Sequence, residues 1–152
     1  MATKTTAGTI MRVSAGVPAT FNQAGYAALT YSTVGEVVDL GEFGRSYNLV
    51  THNPSDTRGT VKKKGSFNEG QLALQLGLDT DDAGQIILKA ASLSDNDYAF
   101  KITDQKGDIY YFQAQVMEFK VGLGTVDQIT KASCNLELTT SSTGVGVVEV
   151  LI

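Results

Sequence analysis

Apolar and polar positions alternate with a period of two through most of this chain. In "GQLALQLGL", Leu72, Leu74 and Leu76 alternate with Gln71, Ala73 and Gln75, which predicts a strand with one apolar face. "DYAFKIT" repeats the pattern with Tyr98, Phe100 and Ile102. The turn "DQKGD", with Gly107 at its centre, leads from there into "IYYFQAQVMEF". Tyr110, Phe112, Ala114 and Val116 fall on one side of that segment and Tyr111, Gln113 and Gln115 on the other, so the two runs read as a hairpin. Across residues 128–139, Ala132, Cys134, Leu136 and Leu138 alternate with Lys131, Ser133, Asn135 and Glu137. "TIMRVSA", "VGEVVDL" and the terminal "GVGVVEVLI" predict further strands, while "NQAGYAALT" fits either one helical turn or an irregular segment.

One stretch breaks the alternation. "GLDTDDAGQIILKAAS" places Asp79, Asp81 and Gly84 at the first, third and sixth positions of a calcium loop. Ala83 and Ala90 occupy the fifth and twelfth, however, so the bidentate carboxylate is missing. A helix over residues 82–92 explains more of the residues. Asp82 caps it, and Gln85 three positions later reaches back as in a capping box. Asp79, Asp81 and Asp82 gather at the positive end of the helix dipole, with Lys89 towards the negative end. Ile86, Ile87, Ala90 and Ala91 are then expected to form the face that packs on the sheet. These elements make an α+β, mainly β fold: an antiparallel sandwich or barrel-forming sheet with one flanking helix.

Three segments fit a lone domain poorly. Residues 41–64, "GEFGRSYNLVTHNPSDTRGTVKKK", form a long polar loop rich in turn residues, with weak strand character near Tyr47 and Val50. Loops of that length are usually functional or interacting. Residues 1–8 are small and polar, an arm without an evident anchor. Residues 140–152 pass from "TTSST" to the apolar Val145, Val147, Val148, Val150, Leu151 and Ile152, and a segment so apolar is expected to dock, with a neighbouring subunit as one place for it.

Composition narrows the functional classes. The 152 residues suit one domain with a substantial core. With 12 basic and 16 acidic side chains the formal charge is −4, which offers no global attraction to nucleic acid or to an anionic membrane. No apolar run reaches membrane-spanning length, and "MATKTTAGTIM" lacks the apolar centre of a signal peptide. Cys134 is the sole cysteine and falls on a core face, a poor setting for a nucleophile. His52 is the sole histidine, read as a solvated loop residue, so no His/Cys metal set can form. No glycine-rich phosphate loop precedes a helix, and neither catalysis nor a cofactor is expected. "TVKKKGS" is the one basic cluster. A solvated strand face or an edge guard is the plain reading, and a charged contact with another subunit is the alternative. Gln71, Gln75, Gln113 and Gln115 give two strands uncharged polar faces, compatible with a smooth, non-adhesive surface.

Taken in order, these segments resemble the major tail tube protein of long-tailed, non-contractile bacteriophages, the siphophage family that includes the lambda type. The likeness lies in residues 32–91, from "STVGEVVDL" through "GQLALQLGLDTDDAGQIILKAA", followed by "YAFKITDQKGDIYYFQAQVMEF", and it extends over residues 9–140. That family has an opening strand, a long loop, a glycine-bounded strand, one helix opening on acidic residues and "GQ", a hairpin and a long final strand. The C-terminal immunoglobulin-like domain of the lambda type is not expected here.

The resemblance implies hexameric rings stacked into a tube that conducts the genome into the host. Inner strands would close edge to edge around the lumen, and DNA would pass without specific binding. The loop at residues 41–64 would make the inter-ring contact through Asp56, Arg58, Lys62, Lys63 and Lys64, joined by Val145, Val147, Val148 and Val150 of the C-terminal arm. Partners would be further copies of the chain and the tape-measure, tail-terminator and tail-tip proteins, in the virion after assembly in the host cytoplasm, with no membrane. Two rivals stand beside this reading: the inner tube of a contractile tail or type VI-like injection system, and a monomeric β-sandwich binding module with Tyr110 and Tyr111 in an aromatic patch.

Overall fold

The computed structural model describes residues 3–152. Its elements in chain order are β1 (Ile10–Ser14), α1 (Gln23–Ala27), β2 (Ser32–Thr33), β3 (Val37–Asp39), β4 (Ser46–His52), β5 (Val61–Asn68), β6 (Gln71–Gly77), α2 (Ala83–Ser92), β7 (Tyr98–Thr103), β8 (Ile109–Gly122), β9 (Lys131–Thr139) and β10 (Val148–Val150). Eight strands make one antiparallel sheet, ordered β2-β1-β7-β8-β9-β6-β3 with β10 on β8, curled into a half-barrel. β4 and β5 form a second sheet of two strands.

The alternation in the sequence becomes the two faces of this sheet. One face carries Leu72, Leu74 and Leu76 of β6, Phe100 and Phe112 of the β7–β8 hairpin, and Cys134 and Leu136 of β9, all buried beneath Leu88 and Ala91 of α2. Phe100 and Phe112 stack at 5.3 Å. Cys134 belongs to this core, and burial, reinforced by the nearby Glu118 carboxylate, pushes its thiol up to about 12, so it is protonated at neutral pH.

The opposite face holds a smaller core of Tyr26, Ala99 and Tyr111, with Tyr31, Val148 and Val150 packed around it. Tyr26 and Tyr111 stack at 5.4 Å. Asn22 caps α1 by accepting from Gly25 N at 2.8 Å, which resolves "NQAGYAALT" as a short helix. This second core also corrects one strand face. Gln115 and the β6 glutamines Gln71 and Gln75 are exposed, but Gln113 shares the Tyr111 side of β8 and is only 3% exposed. Sheet faces whose centre is covered bury even a polar residue there.

Both segments expected to be arms make contacts within the chain. β10 runs antiparallel to β8, pairing Val148 with Tyr111 and Val150 with Ile109, in line with β9, which takes up the same edge of β8 from Gln113 onward. Val147 packs on the first core and Val148 and Val150 on the second. The valines of the apolar tail are thus half-buried within the chain, whereas Leu151 and Ile152 remain 62% and 76% exposed. At the other end Lys4 bridges Asp104 at 3.1 Å and Asp108 at 3.7 Å. The remainder of the expected N-terminal arm, Met1 and Ala2, lies outside the described residues.

Candidate functional site

The expected loop at residues 41–64 is a projecting hairpin, β4–β5, that continues to Asn68. Its strands pair from Ser46 opposite Asn68 to His52 opposite Val61, with a bulge between Tyr47 and Leu49. Apart from the half-buried Gly65, every residue of both strands is exposed. Leu49 stands opposite Lys64 and Thr51 opposite Lys62, so one face shows Tyr47 and Leu49 flanked by lysines. Lys63 lies opposite Val50 on the other face. Asp56 and Arg58 are exposed in the connecting turn, and His52 is exposed at the end of β4.

An ion pair between the exposed Arg45 and the buried Glu69 ties the root of this hairpin. Arg45 donates from Nε at 2.9 Å and approaches with Nη2 at 2.7 Å the same carboxylate oxygen of Glu69, whose side chain is almost fully covered. The guanidinium also lies 3.8 Å from the centre of the Phe67 ring. A Cβ at Gly146 would clash with the Glu69 carboxylate, so glycine there lets the C-terminal segment close over the pair without displacing it. Gly70 follows at φ +95, where its backbone oxygen accepts from Leu138 N of β9 at 3.1 Å. The hairpin therefore leaves the sheet from a corner tied by these contacts. Arg45 and Glu69 went unnoticed in the sequence because their partnership is visible only once β4 and β5 are paired.

At the other end of β6 the chain turns into α2. Asp82 caps the helix as expected, its Oδ2 accepting from Gln85 N and from Gly35 N, each at 3.0 Å. Gln85 does not complete a capping box with Asp82. Its Nε2 donates to Gly35 O at 3.0 Å and Gly77 O at 2.8 Å, and its Oε1 accepts from Asp79 N at 2.9 Å. One buried amide thereby ties the approach to β3, the end of β6 and the start of α2. Gln85→Ala removes the side-chain partner of three backbone groups, and the expected cost is about 2–3 kcal/mol. A urea midpoint equal to that of the unaltered chain would show that the amide is replaceable.

The buried stripe of α2 also differs from expectation. It consists of Gly84, Gln85, Leu88 and Ala91, with Ile87 at its margin, whereas Ile86 is 53% exposed and Ala90 is exposed too. The reason is the helix's close approach to β2: a Cβ at Gly84 would lie 2.4 Å from Thr33 O, so the glycine edge faces inward and rotates Ile86 outward. Ile86, Ala90 and Leu93 then line a groove of about 410 Å³ with Leu78 and with Phe119 and Val121 of β8. Asp79 and Lys89 stand at its rim. The acids before α2 are engaged in local structure, Asp79 accepting from Asp81 N at 3.0 Å. Among the described residues no group of three or more potential ligands is placed to hold a metal ion.

No family model matches the sequence, and no curated protein sequence matches it. Solved structures do. A chain of the anti-feeding prophage (AFP) baseplate, determined with six-fold symmetry, superposes with TM-score 0.67 at 8% identity, covering 99% of this chain and 97% of that one. A chain of the PVC sheath/tube terminator, from an extracellular contractile injection system in its extended state, gives 0.66 at 10% identity, with 99% of each chain covered. The SPP1 tail tube gives 0.59 at 14% identity, covering 93% of this chain and 75% of that one. With identities this low the shared property is architecture: the chain has the fold found in the SPP1 tail tube and in these injection-system and prophage assemblies.

Proposed function

We propose that this chain is a structural, non-catalytic subunit of a phage tail tube, forming hexameric rings that stack into a conduit for the genome. The observation that carries this reading is the β4–β5 hairpin. A two-stranded hairpin with no covering layer is marginal in water, yet this one is exposed on both faces and held at a fixed root. Such an element finds its packing on another subunit. The main sheet supports lateral closure, since it ends in strands of two and three residues, β2 and β3, that leave much of β1 and β6 open. Pairing those edges around a ring satisfies their backbone groups. The tube belongs in the virion, capped by tail-terminator and tail-tip proteins and filled by a tape measure before DNA passes. A net charge of −4 suits a lumen that does not hold DNA.

The long non-contractile tail is the first reading. The tube or terminating ring of a contractile system is the second, supported by the near-complete mutual coverage with the AFP and PVC chains against 75% of the SPP1 chain. Purified protein concentrated stepwise is expected to form rings and tubes in negative-stain images, and native particles show whether a sheath surrounds them. A sharp monomer by light scattering at the highest concentration overturns both readings.

A further inference from the structure

We propose that the groove between α2 and the end of β8 is the receptor for the β4–β5 hairpin of a second copy, in the adjacent ring. The inference rests on the stacking reading above and names the two surfaces that meet. Strand register places the root of the hairpin and the groove at opposite ends of β6. β6 begins at Gln71, opposite Glu137 of β9, and ends at Gly77, opposite Lys131. The hairpin joins β6 at its beginning, through Glu69 and Gly70. The groove lies beyond its end, where Leu78 follows Gly77 and where Phe119 and Val121 of β8 pair with Cys134 and Ala132. A projection at one end and a recess at the other make a head-to-tail contact, which repeats along an axis without limit. Seven residues of β4 span about 20 Å, enough to cross a ring boundary.

The chemistry of the two surfaces matches. Tyr47 and Leu49 form an apolar stripe on the hairpin, Leu49 being 66% exposed, with Lys62 and Lys64 on the same face. The groove offers Ile86, Ala90, Leu93, Phe119 and Val121, Leu93 being 85% exposed, and Asp79 borders it. Lys89 is the one rim charge of the wrong sign, which places the hairpin lysines at the Asp79 end. Both partners bury apolar surface that is otherwise wet, and the charges set the direction of insertion.

Disulfide trapping tests this directly, because the sole native thiol, Cys134, is buried. In the double variant Leu49→Cys/Leu93→Cys, mild oxidation under assembly conditions is expected to give a ladder of trimers and longer species on a non-reducing gel. Equal mixtures of the two single variants should stop at dimers. As a second measurement, Ile86→Asp/Leu93→Asp alters only exposed positions and is expected to raise the concentration needed for tubes at least tenfold, with an unchanged circular-dichroism spectrum. Tubes that form without a ladder, or an Asp variant that assembles like the unaltered chain, overturn the groove as receptor while leaving the tube reading intact. An unaltered chain that never assembles removes the tube reading itself, and the receptor with it.

Discussion

A chain ended at Gly144 is expected to unfold at a clearly lower urea concentration than the full chain, with a loss of about 3 kcal/mol. The deleted residues supply β10, whose pairing with β8 covers Tyr111, and the three half-buried valines Val147, Val148 and Val150. A fully buried valine contributes about 1.5–3 kcal/mol, so three at partial burial with their ladder bonds reach that total. Two further ties go with them: Ser141 N donates to Val145 O at 2.9 Å, and Ile152 N donates to Asp108 at 2.8 Å. Gly146 would also no longer shield the Arg45–Glu69 pair, so the hairpin root should loosen and its amides exchange faster with deuterium. An unchanged midpoint, with only tube formation lost, would instead identify residues 145–152 as an assembly arm.

Replacing Lys62, Lys63 and Lys64 together with Glu should abolish tubes at concentrations where the unaltered chain assembles completely, while the subunit stays folded. All three side chains are exposed on a hairpin that packs against no core, so the folded state loses little beyond the Lys64 contact with the Tyr47 ring at 4.8 Å. Each exposed ion pair contributes about 0–1 kcal/mol. In the proposed ring the contact repeats around the circumference, and reversal changes the sign at every repeat, so small terms become a large barrier to stacking. High salt should weaken assembly of the unaltered chain in the same direction. Normal tubes from the triple variant would place the stacking energy in apolar contacts alone.

Much of the main sheet is legible in the sequence because one buried face imposes a strict period of two. Leu72, Leu74 and Leu76, and Ala132, Cys134, Leu136 and Leu138, are buried on the sides their alternation assigns. The Asp82 cap is legible too, since capping is a local interaction. What stays hidden depends on partners distant in sequence. Gln113 looks like a solvent position, yet it shares the face of Tyr111, over which Tyr26 of α1 packs, and it is buried there. The inward face of α2 is chosen by Gly84 against Thr33, a contact that apolar periodicity cannot reveal, and it turns Ile86 to the surface. The β4–β5 hairpin carries no alternation because neither of its faces is buried within the chain, so a polar loop and an exposed hairpin have the same sequence signature.

The carboxylate of Asp108 has a consequence for anyone attaching something to this subunit. It receives Lys4 from one direction and the backbone of Ile152 from the other, which brings the two ends of the described chain to a single corner beside the β7–β8 turn. A tag or enzyme joined beside Lys4 or Ile152 would emerge from that same corner, so in the proposed tube both kinds of fusion would trace the same line of attachment points. Joining the ends with a short flexible linker would also allow the chain to be reopened elsewhere, for instance in the turn at Asp56, giving a permuted subunit in which both new ends lie on the hairpin.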